Sequence, residues 1–260
     1  MCIRDRSIYV GNKKCGAHNG ERTTFAVTPR FGRVISVRLE GGRVRLFDVN
    51  GNRELKAQIA AEMIASTEGR IYLKRDTALL ELAFVELPHA ILPHVKTIGN
   101  LAKNATQMFE GAVIQNLLGA YYASLLPHAG VCYQHRLAEI DGYRIINAKF
   151  SKGVLFIVGA KDGRYDKFIF RFDDEFRDYD VRVVTDVQSA AINMTVLDNG
   201  VCLDLNDRDE LEIFARHKGS VGLKIITDKA MRGDCKLSHY GAQALFAAGN
   251  KLYKFTMRQT

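Results

Sequence analysis

The chain contains no tryptophan, four prolines and five cysteines in 260 residues. So few cysteines exclude a disulfide scaffold, in which covalent cross-links replace a core. None of them forms a C-x-x-C pair or stands at metal-ligand spacing with a histidine, so neither a dithiol redox motif nor a zinc site is written in the sequence. Cys132 and Cys202 lie inside strand-like runs and read as reduced thiols packed as small hydrophobes. Unpaired thiols favour a reducing compartment such as the cytoplasm. Motifs that announce chemistry are missing too. There is no G-x-S-x-G, P-loop, G-x-G-x-x-G or H-E-x-x-H, and neither a cofactor nor a metal is implied. Residues 111–135 carry no charge, but Gln115, Asn116, Ser124, Pro127, His128, Gln134 and His135 interrupt them. A membrane helix needs about 20 predominantly apolar residues, so this is not a span.

What is present is the composition of a folded globular chain, 47% hydrophobic and 25% charged, apolar enough to exclude general disorder. The first six residues, Met-Cys-Ile-Arg-Asp-Arg, have no apolar stretch of a signal peptide. They resemble a translated sequencing adapter. Residues 1–6 are therefore read as a scar on a metagenomic fragment whose true N-terminus is missing, and residues 7–260 as one domain.

A repeat organises that domain. Gly32, Gly69, Gly111, Gly153, Gly200 and Gly241 each open an alternating apolar strand, followed by a polar turn and a second strand. Those second strands end at Phe47, Phe84, Leu125, Phe170, Phe214 and Phe255. Each unit also has a strand before its glycine, and all but the last have one after the aromatic. Four short antiparallel strands per repeat of a little over forty residues resemble the blades of a β-propeller, and the resemblance covers Ser7 to Arg258. It implies an all-β fold. A WD-repeat protein would carry Trp-Asp and a kelch protein recurring Gly-Gly pairs, so no named family follows. The reading adopted is a six-bladed ring in which the N-terminal strand, Ser7–Gly11, supplies the missing strand of the last blade. The alternative is a truncated seven-bladed ring. One local rival stands beside it. Ile114, Leu117, Leu118, Tyr121 and Leu125 match helical spacing, which predicts a helix inserted within residues 90–126, and Leu55, Ile59 and Met63 mark another short helix.

A propeller is a scaffold, and function has to be argued from sites. Asp204-Leu-Asn206-Asp207-Arg208-Asp209 lacks the glycine and the fifth ligand of a calcium loop and reads as a turn. The acidic run Asp173, Asp174, Glu175, Asp178 and Asp180 reads as a solvated turn. Tyr121, Tyr122, His128 and His135 form the densest His and Tyr cluster and are the candidates for lining a pocket.

The +8 charge is unevenly spread. From Ser7 to Arg75 there are 13 Lys or Arg against 6 Asp or Glu; from Asp76 onward the two balance at 22 each. In the repeat register Arg33 and Arg70 follow their glycines, and Arg38 and Arg75 fall six residues on, at a hairpin tip. Arg38, Lys74 and Arg75 are expected to cluster at one rim, with Arg43 and Arg45 on the next strand. Such a surface attracts an acidic protein segment or an anionic ligand. Nucleic acid ranks last, because no aromatic stacking platform or nucleic-acid motif accompanies the charge. The functional expectation is a non-catalytic binding or assembly module using this basic rim. The alternatives are a propeller hydrolase or lyase acting on a polar or anionic substrate at the channel mouth, and a structural component of a virus or particle.

Overall fold

The computed structural model describes residues 2–4, 7–10, 13–17, 23–28, 30–67, 70–103, 106–126, 133–187, 191–206, 210–214, 223–226, 236–240, 243–248 and 251–256. Strands dominate throughout. β1 (Cys2–Arg4), β2 (Ser7–Val10) and β3 (Lys13–Ala17) make a three-stranded sheet. Four-stranded sheets follow in chain order. The first contains β4 (Thr23–Val27), β5 (Val34–Glu40), β6 (Arg43–Asp48) and β7 (Arg53–Ala60). The second contains β8 (Met63–Thr67), β9 (Arg70–Arg75), β10 (Ala78–Leu87) and β11 (Ala90–Asn100). Next come β12 (Thr106–Phe109), β13 (Ala112–Leu117), β14 (Ala120–Leu125) and β15 (Tyr133–Arg136). They are followed by β16 (Arg144–Ser151), β17 (Val154–Lys161), β18 (Arg164–Phe172) and β19 (Tyr179–Val187), then by β20 (Ala191–Val196), β21 (Cys202–Asn206), β22 (Glu210–Phe214) and β23 (Leu223–Ile226). β24 (Lys236–Tyr240), β25 (Gln243–Ala248) and β26 (Lys251–Thr256) close the series.

All six glycine-keyed repeats are therefore sheets, and the last has three strands, as expected. In the sheets where it is described, the glycine ends the turn into the second strand for a conformational reason. Gly111, Gly153 and Gly200 have φ of 79°, 73° and 76°, left-handed values that a Cβ disfavours. Lys152 and Gly153 are both left-handed, as are Asp162–Gly163 and Leu118–Gly119. Such two-residue turns match the right-handed twist of the strands they join.

Three expectations are corrected. Ser7–Val10 pairs with β1 on one side and β3 on the other. Both its edges are occupied, so it is not the outer strand of the last sheet. Residues 90–126 contain strands and no helix among those described, because the left-handed pair Leu118–Gly119 breaks the run into a hairpin. Leu55 and Ile59 lie on β7 and Met63 on β8, not on a helix. Among the described residues no helix is long and apolar enough to cross a membrane.

The chain divides into two compact units, residues 1–117 with 126–132, and residues 118–125 with 133–260. In the first, β4, β8 and β12 neighbour one another, so successive sheets meet along their first strands. Ile35, Val37, Leu46, Ile64, Ile71, Leu73 and Leu82 fill the space between its first two four-stranded sheets. The second unit repeats the scheme with β16, β20 and β24. Val154, Phe156 and Val158 meet Met194, Val196, Cys202 and Phe214 there. Val154 to Val158 are buried without a break, as a strand covered on both faces requires.

Candidate functional site

Seven basic residues were nominated on the first two repeats, and the structure separates them. Arg38 and Arg45 are direct cross-strand partners on β5 and β6, two like charges side by side. Such a pair is unfavourable unless countered. Glu40 lies 3.9 Å from Arg38 and Glu54 lies 2.5 Å from Arg45. Arg38 sits two residues before the end of β5, not at the tip, because the turn comes at Gly41–Gly42. Arg75 does end its strand, and it is exposed like Arg43. The register aligns Val34, opposite Val27, with Arg70, opposite Thr67, and so aligns Arg38 with Lys74. Lys74 is fully buried, 2.5 Å from Glu62. Arg70 pairs with Glu81 at 3.1 Å.

Arg33 is in a different situation. It stands at the far end of β5 from Arg38 and faces an open hollow of about 380 Å³. The hollow is lined by Arg33, Asp48, Asn50, Gly51, Arg53, Pro88 and His89. The turn between β6 and β7 builds one wall. Asp48 ends β6, and its Oδ1 accepts a hydrogen bond from the Gly51 amide at 2.9 Å. Gly51 is required by the close approach, since a Cβ there would fall 2.5 Å from Asp48 Oδ2. Asn50 Oδ1 accepts from the Val34 amide at 2.7 Å, which ties this turn to the start of β5. The opposite wall is the two-residue turn Pro88–His89 between β10 and β11, whose His89 carbonyl accepts from Arg53 Nη2 at 3.5 Å.

Electrostatics in the hollow is layered. The Asp48 side chain is 0% exposed, with Arg33 Nη1 at 3.6 Å and Arg53 Nε at 3.7 Å from its Oδ2. The two arginine side chains are 27% and 47% exposed. The negative charge lies beneath and the positive charges face outward. A second buried carboxylate fixes the approach to β5. Glu86 accepts from the Thr28 hydroxyl and from the amides of Arg30 and Phe31. Burial alone would raise its pKa. The hydrogen bonds and the nearby Arg33 outweigh that and hold the carboxyl below its ordinary value.

The His and Tyr candidates lie in the second unit, except His128, which is outside the described residues. Tyr121 donates its hydroxyl to the Tyr143 carbonyl at 2.5 Å, and its amide donates to Asp141. Arg136 forms a two-pronged pair with Asp141 and lies over the Tyr122 ring. His135 packs on Phe172 with ring centres 4.7 Å apart, and burial lowers its pKa. These groups are engaged with one another and with the fold. The Asp173 carboxylate accepts from the Arg177 amide at 2.7 Å within its turn.

Sequence reasoning missed Arg53, which becomes Arg33's companion only through the β6–β7 turn. It also missed a buried charge cluster in the second unit. Lys167 on β18 lies 2.6 Å from Asp204 Oδ2, both side chains 0% exposed, and also pairs with Glu212. Burial pushes the Asp204 carboxyl up to about 6, against the opposing effect of Lys167. The stretch Asp207–Asp209 falls outside the described residues.

No protein-family model matches the chain, and no curated protein does. Solved structures do. Hsv2 of Kluyveromyces lactis superimposes with a TM-score of 0.55 over 91% of this chain and 81% of its own, at 13% identity. The Cps50 (Swd1) β-propeller domain of Myceliophteria thermophila gives 0.57 over 95% of this chain and 86% of its own, at 12% identity. A putative 6-phosphogluconolactonase from Bacteroides uniformis gives 0.51 over 78% and 70%, at 16% identity. At these identities the likeness carries the fold, which is a β-propeller.

Proposed function

We propose that the chain is a non-catalytic binding or scaffold module whose contact surface is the basic side of its first two four-stranded sheets. Its partner is an acidic protein segment or another anionic ligand. The observation that supports this most is the pair of outward-facing guanidinium groups, Arg33 and Arg53, over the hollow. The described lining offers cations for holding an anion and contains no hydroxyl or thiol nucleophile, which favours holding over turnover. Four of the seven cations, Arg38, Arg45, Arg70 and Lys74, are taken up by carboxylates other than Asp48, so the contact surface narrows to the Arg33 end, with exposed Arg43 and Arg75 adding long-range attraction.

The test is fluorescence anisotropy with a labelled poly-glutamate peptide. The native chain is expected to bind it, weakening as salt rises. Neutralising the cluster as a whole, with Arg33→Gln, Arg53→Gln and Asp48→Asn together, leaves no buried charge unpaired and should abolish binding at an unchanged far-UV spectrum. Equal binding by the native and neutralised chains would overturn the proposal.

A further inference from the structure

We infer that the Arg33–Arg53 hollow is a site for a phosphate monoester, an inference that rests on the binding-module reading above. Three features separate such a site from a general basic surface.

The first is that the two guanidinium groups keep their donors. Asp48 Oδ2 stands 3.6 and 3.7 Å from them, close enough to hold their charges and too far to take up their hydrogen bonds. The one further contact of Arg53, to the His89 carbonyl, is at the 3.5 Å limit. The second is the ordering of charge by depth. The buried carboxylate lies against both arginines, whose side chains line the hollow and are 27% and 47% exposed. The third is the rest of the lining. Because Asn50 Oδ1 is committed to the Val34 amide, the end of its side chain left for a ligand is the Nδ2 donor, while His89 lines the hollow from the neighbouring sheet.

These are donors converging from separate directions. A planar carboxylate is satisfied by one guanidinium fork, whereas a phosphate monoester offers three terminal oxygens and up to two charges. Two forks and an amide match the larger acceptor set. Asp48, with Glu86 near Arg33, offsets part of the pair's charge, so the site discriminates by geometry as well as by attraction.

The experiment is isothermal titration of the native chain with inorganic phosphate, a phosphoserine peptide and the same peptide with glutamate in place of phosphoserine. The phosphoserine peptide is expected to bind about tenfold or more tighter than the glutamate peptide, the difference made by one additional charge-assisted contact. Arg33→Lys and Arg53→Lys keep the counter-charges of buried Asp48, so folding is preserved, and each should lose about tenfold for the phosphopeptide as the fork is removed. Arg182→Lys is the control. Arg182 is exposed on β19, takes no part in the lining of the hollow, and its replacement should leave affinity unchanged.

Binding of inorganic phosphate as well as the phosphopeptide assigns the site to small phosphate-bearing ligands. Binding of the phosphopeptide alone assigns it to a modified protein segment. Either supports the inference. Equal affinity for the two peptides, lost together in the variant carrying Arg33→Gln, Arg53→Gln and Asp48→Asn, overturns it and leaves the binding-module reading intact. No binding of any of the three overturns both.

Discussion

Replacing Lys167 with methionine tests whether the second unit depends on a buried counter-charge. The lysine lies on β18 with its ammonium 2.6 Å from Asp204 on β21, also paired with Glu212 on β22 and 5.1 Å from the Phe214 ring centre. Methionine keeps most of the volume and the contact with Phe214, so packing changes little. The electrostatic change is large. Removing one member of a buried pair typically costs about 3–5 kcal/mol, because the remaining charge has lost its compensation.

The pH dependence identifies the cause. In the folded native chain the Asp204 carboxyl titrates at about 6, against an ordinary value of 3.8. A carboxyl raised on folding contributes stability that is complete below its unfolded value and lost as pH rises through its folded value. For the native chain that window closes at about pH 6. Without Lys167, Asp204 keeps its proton to higher pH, so its window stays open through neutrality. The stability difference between native and variant chains should then be flat below pH 6 and grow above it by about 1.4 kcal/mol per pH unit. Urea titrations followed by far-UV circular dichroism at half-unit steps from pH 5 to 8 measure this difference directly. Titrating groups that do not touch Lys167 are common to both chains and cancel, and a second substitution at Asp204 separates its effect from that of Glu212. Combining Lys167→Met with Asp204→Asn should abolish the slope and recover part of the loss. A difference that is constant over the whole range, or a slope that survives in the double variant, would refute the assignment to Asp204.

Two further outcomes follow from local geometry. Leu118 is fully exposed with a φ of 54°, in a left-handed turn completed by Gly119 at 88°. Because asparagine tolerates that region, Leu118→Asn should stabilise by about 1 kcal/mol, read as a higher urea midpoint at unchanged m-value. Cys202 is buried, and burial pushes its thiol up to about 12. Iodoacetamide at pH 8 should leave it unmodified in the folded chain and alkylate it in urea, as peptide mass spectrometry will show. Modification at equal rates in both states would contradict its place between β17 and β22.

The repeat was legible because glycine and alternation report backbone geometry directly. Gly111, Gly153 and Gly200 recur where the chain must turn left-handed, and the strands they open alternate about a covered face. The sheet formed by β1, β2 and β3 carries no such glycine-to-aromatic signature, and its strands stayed invisible as a unit. The false helical signal at Ile114, Leu117, Leu118, Tyr121 and Leu125 has a specific origin. Two alternating strands joined by a two-residue turn mix spacings of two with spacings of three and four, which counterfeits a helical period when the turn is not recognised. With leucine at Leu118, where asparagine or glycine would announce a turn, it was not.

Side-chain partners were the least legible. On β18, alternation puts Lys167, Ile169 and Arg171 on the face opposite three phenylalanines, and Lys167 and Ile169 are fully buried because the next sheet covers them. A period of two distinguishes the faces of a strand and cannot say which faces a neighbouring sheet will cover. The same limit governs the charge. Counting cations located the basic excess in the first two repeats, while the field at the surface depends on which cations are already paired. Lys74 is sealed against Glu62, and Arg45 and Arg70 have carboxylates within hydrogen-bonding distance. Asp48 stays more than 3.5 Å from both its arginines, so they remain coordinatively open. On the proposed reading, the spacing of that one carboxylate, more than the net charge of the sheets around it, is what leaves the Arg33 end hydrogen bonds to offer an anion.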